Sequence, residues 1–231
     1  TNGVLDSFTF DGPVRVEARG HTTYNDYSDT DLNVDVEGRN VAWGPLVAER
    51  YSCSVHLAGS TGTVSDVRAR VCDGEMTGNA VLVMPPMDST NAGGYSIEGK
   101  VRDASFEKLA RAATGQKKDY SGEFSGTLQI SGLMGAGNLE TATGSGDVRI
   151  REGRVFLMPV FGGFSEVMTK IVPGLDFVLR QGDASAEFTI AGGKIRSDKV
   201  LIEGDVLSMN GHGDYSLDGK MDFRMQVKLM K

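Results

Sequence analysis

Asp183 and Glu187, in the run Asp183-Ala184-Ser185-Ala186-Glu187, are the first residues with the types and spacing for chemistry. A general acid–base pair needs two such carboxylates converging in a cleft. At a two-residue period Asp183, Ser185 and Glu187 line one face and Ala184, Ala186 and Phe188 the other, which is an amphipathic strand. Ser-His-Asp chemistry would draw on His21, His56 or His212, and none stands in a nucleophile elbow. His56, between Val55 and Leu57, reads as the polar face of a strand. Gly144-Ser145-Gly146 and Gly211-His212-Gly213 look like fragments of phosphate loops, which need a following helix whose N-terminus meets the anion. Here the residues that follow, Val148–Ile150 and Tyr215–Leu217, read as strands. Cys53 and Cys72 cannot build a zinc site from such scattered histidines. Inward-facing apolar positions group Cys53 with Val55 and Leu57, and Val67, Ala69 and Val71 turn Cys72 to the other face. Two semi-buried thiols are therefore favoured over a disulfide. No catalytic residue, metal site or cofactor is expected.

The elements that carry these residues are short amphipathic runs. Met221, Phe223, Met225, Val227 and Leu229 alternate with Asp222, Arg224, Gln226 and Lys228, a long strand with one apolar face. The same alternation marks Val14–Ala18, Leu32–Val36, Cys53–Leu57, Leu128–Ile130, Val148–Ile150 and Val200–Ile202. Ala80–Met84 is apolar without a break, which predicts a strand covered on both faces. Acidic-Gly pairs (Asp11-Gly12, Glu37-Gly38, Asp73-Gly74, Glu98-Gly99, Glu152-Gly153, Glu203-Gly204, Asp218-Gly219) and Gly192-Gly193 read as hairpin turns. Two segments change period. Residues 104–113 place Phe106, Leu109, Ala110 and Ala113 on one helical face, with Asp103 or Ser105 as the cap. Residues 160–171 do the same with Val160, Phe164, Val167, Met168 and Ile171, between Pro159 and Pro173-Gly174.

Length and charge bound the rest. The chain has 231 residues, 31 of them glycine, and a formal net charge of −7. That length fits one all-β domain of residues 1–231, with a 1–103 meander, the 104–113 helix and a 120–231 β region. The acidic surface, without any Lys/Arg cluster, does not attract nucleic acid or anionic headgroups. No apolar run is long enough for a membrane-spanning helix. Ten methionines, among them Met84, Met158, Met168, Met209, Met221 and Met225, suit either core filling or an adaptable apolar surface.

From Gly144 onward the order of motifs is distinctive. Gly144-Ser145-Gly146-Asp147-Val148-Arg149-Ile150-Arg151-Glu152-Gly153-Arg154-Val155 precedes the second helix. Phe188-Thr189-Ile190-Ala191-Gly192-Gly193-Lys194-Ile195, Val200-Leu201-Ile202-Glu203-Gly204 and Gly211-His212-Gly213-Asp214-Tyr215 follow it. This order, with Phe106–Ala113 and Gly122-Glu123-Phe124-Ser125-Gly126-Thr127-Leu128 upstream, resembles the C-terminal region of the AsmA-like family of bacterial envelope proteins (AsmA, TamB and YhdP types). The likeness covers about residues 95–231, and residues 1–95 only by strand pattern.

The resemblance implies a mainly β fold, a long curved antiparallel sheet with an open taco- or half-barrel-like groove and two short helices. It implies a non-enzymatic periplasmic module, whose parent is anchored in the inner membrane, for lipid transport in outer-membrane biogenesis or maintenance. Phospholipid or another acyl lipid, and envelope proteins, would be its partners. On this reading Val148, Ile150, Val155, Leu157, Ile190, Ile195, Ile202, Phe223, Met225 and Val227 line the lipid groove. The competing expectation is a β-rich adhesion module that recognises a glycan or protein through Tyr24, Tyr27 and Trp43, with Asp26, Asp29 and Asp31 nearby.

Overall fold

The computed structural model describes residues 8–23, 26–44, 46–85, 91–115, 120–135, 138–155, 182–205, 207–216 and 219–229. The protein is mainly β, and its strands form one open antiparallel sheet. In chain order the elements are β1 (Phe8–Phe10), β2 (Val14–Thr23), β3 (Asp26–Trp43), β4 (Leu46–Ala58), β5 (Thr61–Val71), β6 (Gly74–Val83) and β7 (Gly94–Ser105). There follow α1 (Phe106–Thr114), β8 (Glu123–Leu133), α2 (Asn138–Thr141), β9 (Thr143–Gly153), β10 (Gly182–Ala191), β11 (Lys194–Gly204), β12 (Leu207–Ser216) and β13 (Met221–Leu229). Each strand from β3 to β13 pairs with the next, while β1 and β2 both pair with β3. β13 closes the order at one edge, and no pairing joins it back to β2. The second expected helix, residues 160–171, lies outside the described residues.

α1 forms where the period changes from two to 3.6. Of the two expected caps it uses Ser105, whose Oγ accepts from the Lys108 N–H at 3.3 Å. The helix starts at Phe106, two residues inside the expected range of 104–113, because Ala104 and Ser105 still pair with Phe124 and Glu123. It stops at Gly115, whose φ of 67° is left-handed and whose N–H reaches the Arg111 carbonyl at 2.9 Å. Lys108 Nζ bonds Asp73 Oδ1 at 2.7 Å and so ties the helix to the β5–β6 turn.

Two expectations are corrected here. Ala80–Met84 is not covered on both faces: Val81, Leu82 and Val83 are all exposed. The sheet is a single layer there, so Leu82 shares its face with Leu57, while Val81 stands among Thr63 and Ser96 on the other. Glu37-Gly38 and Glu98-Gly99 are not turns either, because both lie inside strands, β3 and β7. At Gly38 the reason is a close approach: a Cβ there would stand 2.5 Å from the Tyr51 hydroxyl, so the ring lies over the glycine. Gly146 under Phe188, Gly132 under Tyr95 and Gly213 under Phe223 repeat the device. The expected Gly192-Gly193 turn does form, with positive φ at both residues.

β5, β7, β9 and β11 each carry one extra residue against a neighbour. In the first three an acidic residue there takes positive φ: Asp66, Asp103 and Glu152. A bulge removes an N–H from the ladder. The Asp103 N–H is taken up by Ser125 Oγ at 3.0 Å and the Glu152 N–H by Asp183 Oδ1 at 2.9 Å. In β11 the buried Ser197 hydroxyl bridges the Glu187 and Lys199 carbonyls at 2.8 and 3.2 Å. Bulges bend strands and sharpen their twist, so this repetition curves the sheet.

Candidate functional site

Alternation and register together separate the sheet into two faces. On one, Ala18, Val34, Val55, Val64, Ala80, Ile97, Ile130, Gly144, Ile190, Ile195, Tyr215 and Met221 stand in a single register line from β2 to β13. A second line runs Val14, Gly38, Tyr51, Ala69, Met76, Val101, Gly126, Val148, Ala186, Val200, Gly211 and Met225. No charged residue interrupts either line. A third, Phe124–Ile150–Ala184–Ile202–Met209–Val227, crosses the C-terminal half.

The third line is where this face is sealed. Phe106 and Ala110 of α1 form one buried cluster with Ile150, Ile202 and Met209, and Tyr120, Val155 and Leu207 complete it. Ile202 is 0 % exposed, and burying a side chain of that size contributes about 1.5–3 kcal/mol. Phe106 and Tyr120 meet edge-on, with ring centroids 6.0 Å apart. Elsewhere the same face is open: Val16 is 58 % exposed, Leu128 36 % and Leu229 57 %. Ile97, Met221, Phe223 and Val227 are exposed too. Beside Leu128 in register, a Cβ built on Gly99 would meet nothing within 4 Å, which leaves a dimple in the apolar surface.

The expected groove residues therefore divide. Ile150, Val155, Ile190 and Ile202 are buried, and the first, second and fourth belong to the core under α1. Val148, Ile195 and Met225 are half-buried, and Phe223 and Val227 are exposed on β13. Leu157 lies outside the described residues, as do Met158 and Met168.

An open trough lies on the opposite face, with no sign of one in the sequence. Arg15, Glu37, Ser52, Arg68, Thr77, Lys100, Thr127, Asp147, Glu187 and Lys199 form a polar register line from β2 to β11. Its middle, from Arg68 to Lys199, lines a trough of about 1290 Å³, and Arg15, Glu37 and Ser52 line a second hollow of about 360 Å³. Charges of both signs line the trough, with Arg149 and Arg196 set against Asp147, Glu187 and Asp198. Many are already paired: Thr127 donates to Asp147, and Arg196 Nε to Asp198 Oδ1 at 3.1 Å. That bond, and the charges of Asp198 and Asp214, push the Arg196 guanidinium further up.

The reactive residue types do not converge. His56 Nδ1 lies 2.8 Å from Asn33 Oδ1 on the exposed polar face, as its flanking residues predict. His21 on β2 is separated from it by β3 alone, each beside an aspartate of that strand (His21 Nε2 3.6 Å from Asp29, His56 Nδ1 3.9 Å from Asp31), whereas His212 on β12 is far from both in the strand order. Asp183, Ser185 and Glu187 share a face as expected, with Ala184, Ala186 and Phe188 on the other. Among the described residues no three His, Cys, Asp or Glu side chains come together as metal ligands. Cys53 and Cys72 are both free and half-buried. Pairing of Ala48 with Val71 places Cys72 at the far end of β4 from Cys53, roughly 16 Å along the strand at about 3.3 Å per residue. Burial pushes both thiols up. The nearby Asp35 carboxylate adds to the rise at Cys53, whereas the Lys108 ammonium opposes it at Cys72. Tyr27 and Trp43, expected as part of one aromatic site, lie at opposite ends of β3, on the order of 50 Å apart at that rise. Tyr24 lies outside the described residues.

Among the described residues no helix is long and apolar enough to cross a membrane. Comparison with protein-family models, with curated proteins and with solved structures finds no match to this chain.

Proposed function

We propose that the chain is a non-catalytic lipid-handling module that holds acyl chains along the apolar face of its open sheet, as the AsmA-like resemblance implies. On this reading it works in the bacterial periplasm, as part of an inner-membrane-anchored parent, and its cargo is phospholipid. One observation carries the reading: two apolar register lines run unbroken from β2 to β13 across a sheet that does not close, and much of that face is uncovered. An acyl chain laid along it gains roughly 0.8 kcal/mol per buried methylene. The open edge lets a headgroup stay in water while the tails rest on the face. No covalent step or cofactor enters. The polar trough is not the lipid site, because its charged lining would lose water without gaining partners.

Glycan or protein recognition through an aromatic site finds no comparable support, since Tyr27 and Trp43 are held apart. The test is extraction of the purified, folded chain followed by mass spectrometry of bound lipid, with a titration against a fluorescent fatty acid. Co-purified phospholipid and saturable probe binding are the expected results. A folded chain that yields no lipid and binds no probe refutes the proposal.

A further inference from the structure

β13 is an edge strand of the sheet, and its outer side has no partner among the described residues. Its residues Met221, Phe223, Val227 and Leu229 are exposed large hydrophobics. Such an edge is a template for another strand; proteins blunt it with charges such as those of Arg224 and Lys228, and more firmly with proline, a bulge or inward-pointing charge. β13 has no proline, bulge or charge on its apolar side: it pairs with β12 over its whole length, Met221 to Leu229, without a register shift.

Its sequence is complementary to itself. Two copies of β13 laid antiparallel about Met225 place Met221 opposite Leu229 and Phe223 opposite Val227, all on the apolar side. On the polar side Asp222 falls opposite Lys228, twice by symmetry, and Arg224 opposite Gln226. Opposite charges facing across a pair are stabilising, and like charges are not. Within one chain those charges are poorly placed. Asp222 stands opposite Asp214 and Arg224 opposite His212 on β12, and Asp222, Arg224 and Lys228 make no ion pair among the described residues. β2, at the other edge, is different: Arg15 and Arg19 both already pair with Glu17.

We infer that β13 is a docking edge for the β13 of a second copy of this chain, in a two-fold antiparallel pair centred on Met225. A two-fold contact of this kind uses the same patch on both copies and closes at two. It joins the sheets edge to edge, keeps both apolar faces on one side, and brings Lys228 of each copy to Asp222 of the other. The inference stands independently of the lipid proposal.

Sedimentation equilibrium of the whole chain over a concentration series tests it. The expected result is a plateau at twice the chain mass. Asp222→Lys sets two pairs of ammonium groups against each other and should weaken association at least tenfold, with an unchanged circular dichroism spectrum. Adding Lys228→Asp to that variant restores the opposite charges and should restore the dimer. With Cys53 and Cys72 replaced by serine, Met225→Cys should form an intermolecular disulfide readily and Leu229→Cys should not. A chain that stays monomeric, assembles beyond two, or dimerises regardless of Asp222→Lys overturns the inference. Failure of the Lys228→Asp change to rescue a folded double variant overturns it as well.

Discussion

The apolar face is one continuous surface by register, yet its two ends behave differently. Around β9 to β12 it is sealed: Ile202, Leu207 and Met209 are buried in one cluster with Phe106 and Ala110 of α1. Around β2, equivalent positions such as Val14 and Val16 are open to solvent. Both ends carry the same two-residue alternation. Alternation fixes which side of a sheet a residue faces, but a second element decides whether that side is a core or a surface. Among the described residues the amphipathic helix at residues 106–114 contributes to that element at the β9 to β12 end.

The largest effect should come from matched truncations at the two ends. Ile202→Ala opens a cavity in the sealed core and should cost about 2–5 kcal/mol in urea unfolding. Val16→Ala, in the same face, should stay within about 0.5 kcal/mol. Comparable losses at both sites would mean that the β2 end is also covered.

A second pair contrasts two glycines. At Gly146 a new Cβ would stand 2.3 Å from the Thr127 carbonyl oxygen and 2.6 Å from the Phe188 ring. Gly146→Val should therefore destabilise by about 1–3 kcal/mol. At Gly99 the same change meets open space, and Gly99→Val should be neutral or gain up to about 1 kcal/mol from lower chain entropy and better strand propensity. Thermal melts of the two variants check the contrast, and equal destabilisation would break it.

The helix that makes the two ends different can be weakened directly. Ser105→Ala removes the cap bond to the Lys108 N–H and should cost about 1 kcal/mol. Hydrogen exchange should show the loss first in α1, not in β2 to β4.

The smallest effect concerns pH. Burial holds both thiols protonated above their ordinary value near 9.0. Folding then binds the thiol proton more tightly than the unfolded chain does. Their contribution is complete below the unfolded value and is lost as pH rises through the folded one. Iodoacetamide should label Cys53 and Cys72 more slowly in the native chain than in urea at pH 8. Equal rates would mean exposed, unshifted thiols.

Much of this architecture is legible in the sequence. Asp183–Phe188 and Met221–Leu229 alternate as their residues dictate, and Phe106, Ala110 and Ser105 mark the helix and its cap. Other features depend on what neighbouring strands do. Glu98-Gly99 reads as a turn because acidic-Gly pairs suit turns, but Gly99 is held extended between Gly78 and Leu128. Val81 and Val83 read as buried on both faces because an unbroken apolar run usually is, but both are exposed, and no second layer covers β6 among the described residues. The polar trough has no sequence signature, since the register that sets Arg68, Thr77, Lys100, Thr127, Asp147, Glu187 and Lys199 in one line appears only when strands are set side by side. Tyr120 sits in a polar stretch that reads as a loop, and its complete burial follows from Phe106 packing against it.

The claim that acyl chains rest on the apolar face is tested most directly by two adjacent substitutions. Leu128 lies on the apolar face, and Gln129, the next residue of β8, on the polar one. Each is replaced by lysine, the fold is checked by circular dichroism, and binding of a fluorescent fatty acid is titrated. The account predicts that Leu128→Lys weakens binding at least tenfold while Gln129→Lys leaves it unchanged. Equal binding by both folded variants, or loss confined to Gln129→Lys, would contradict it.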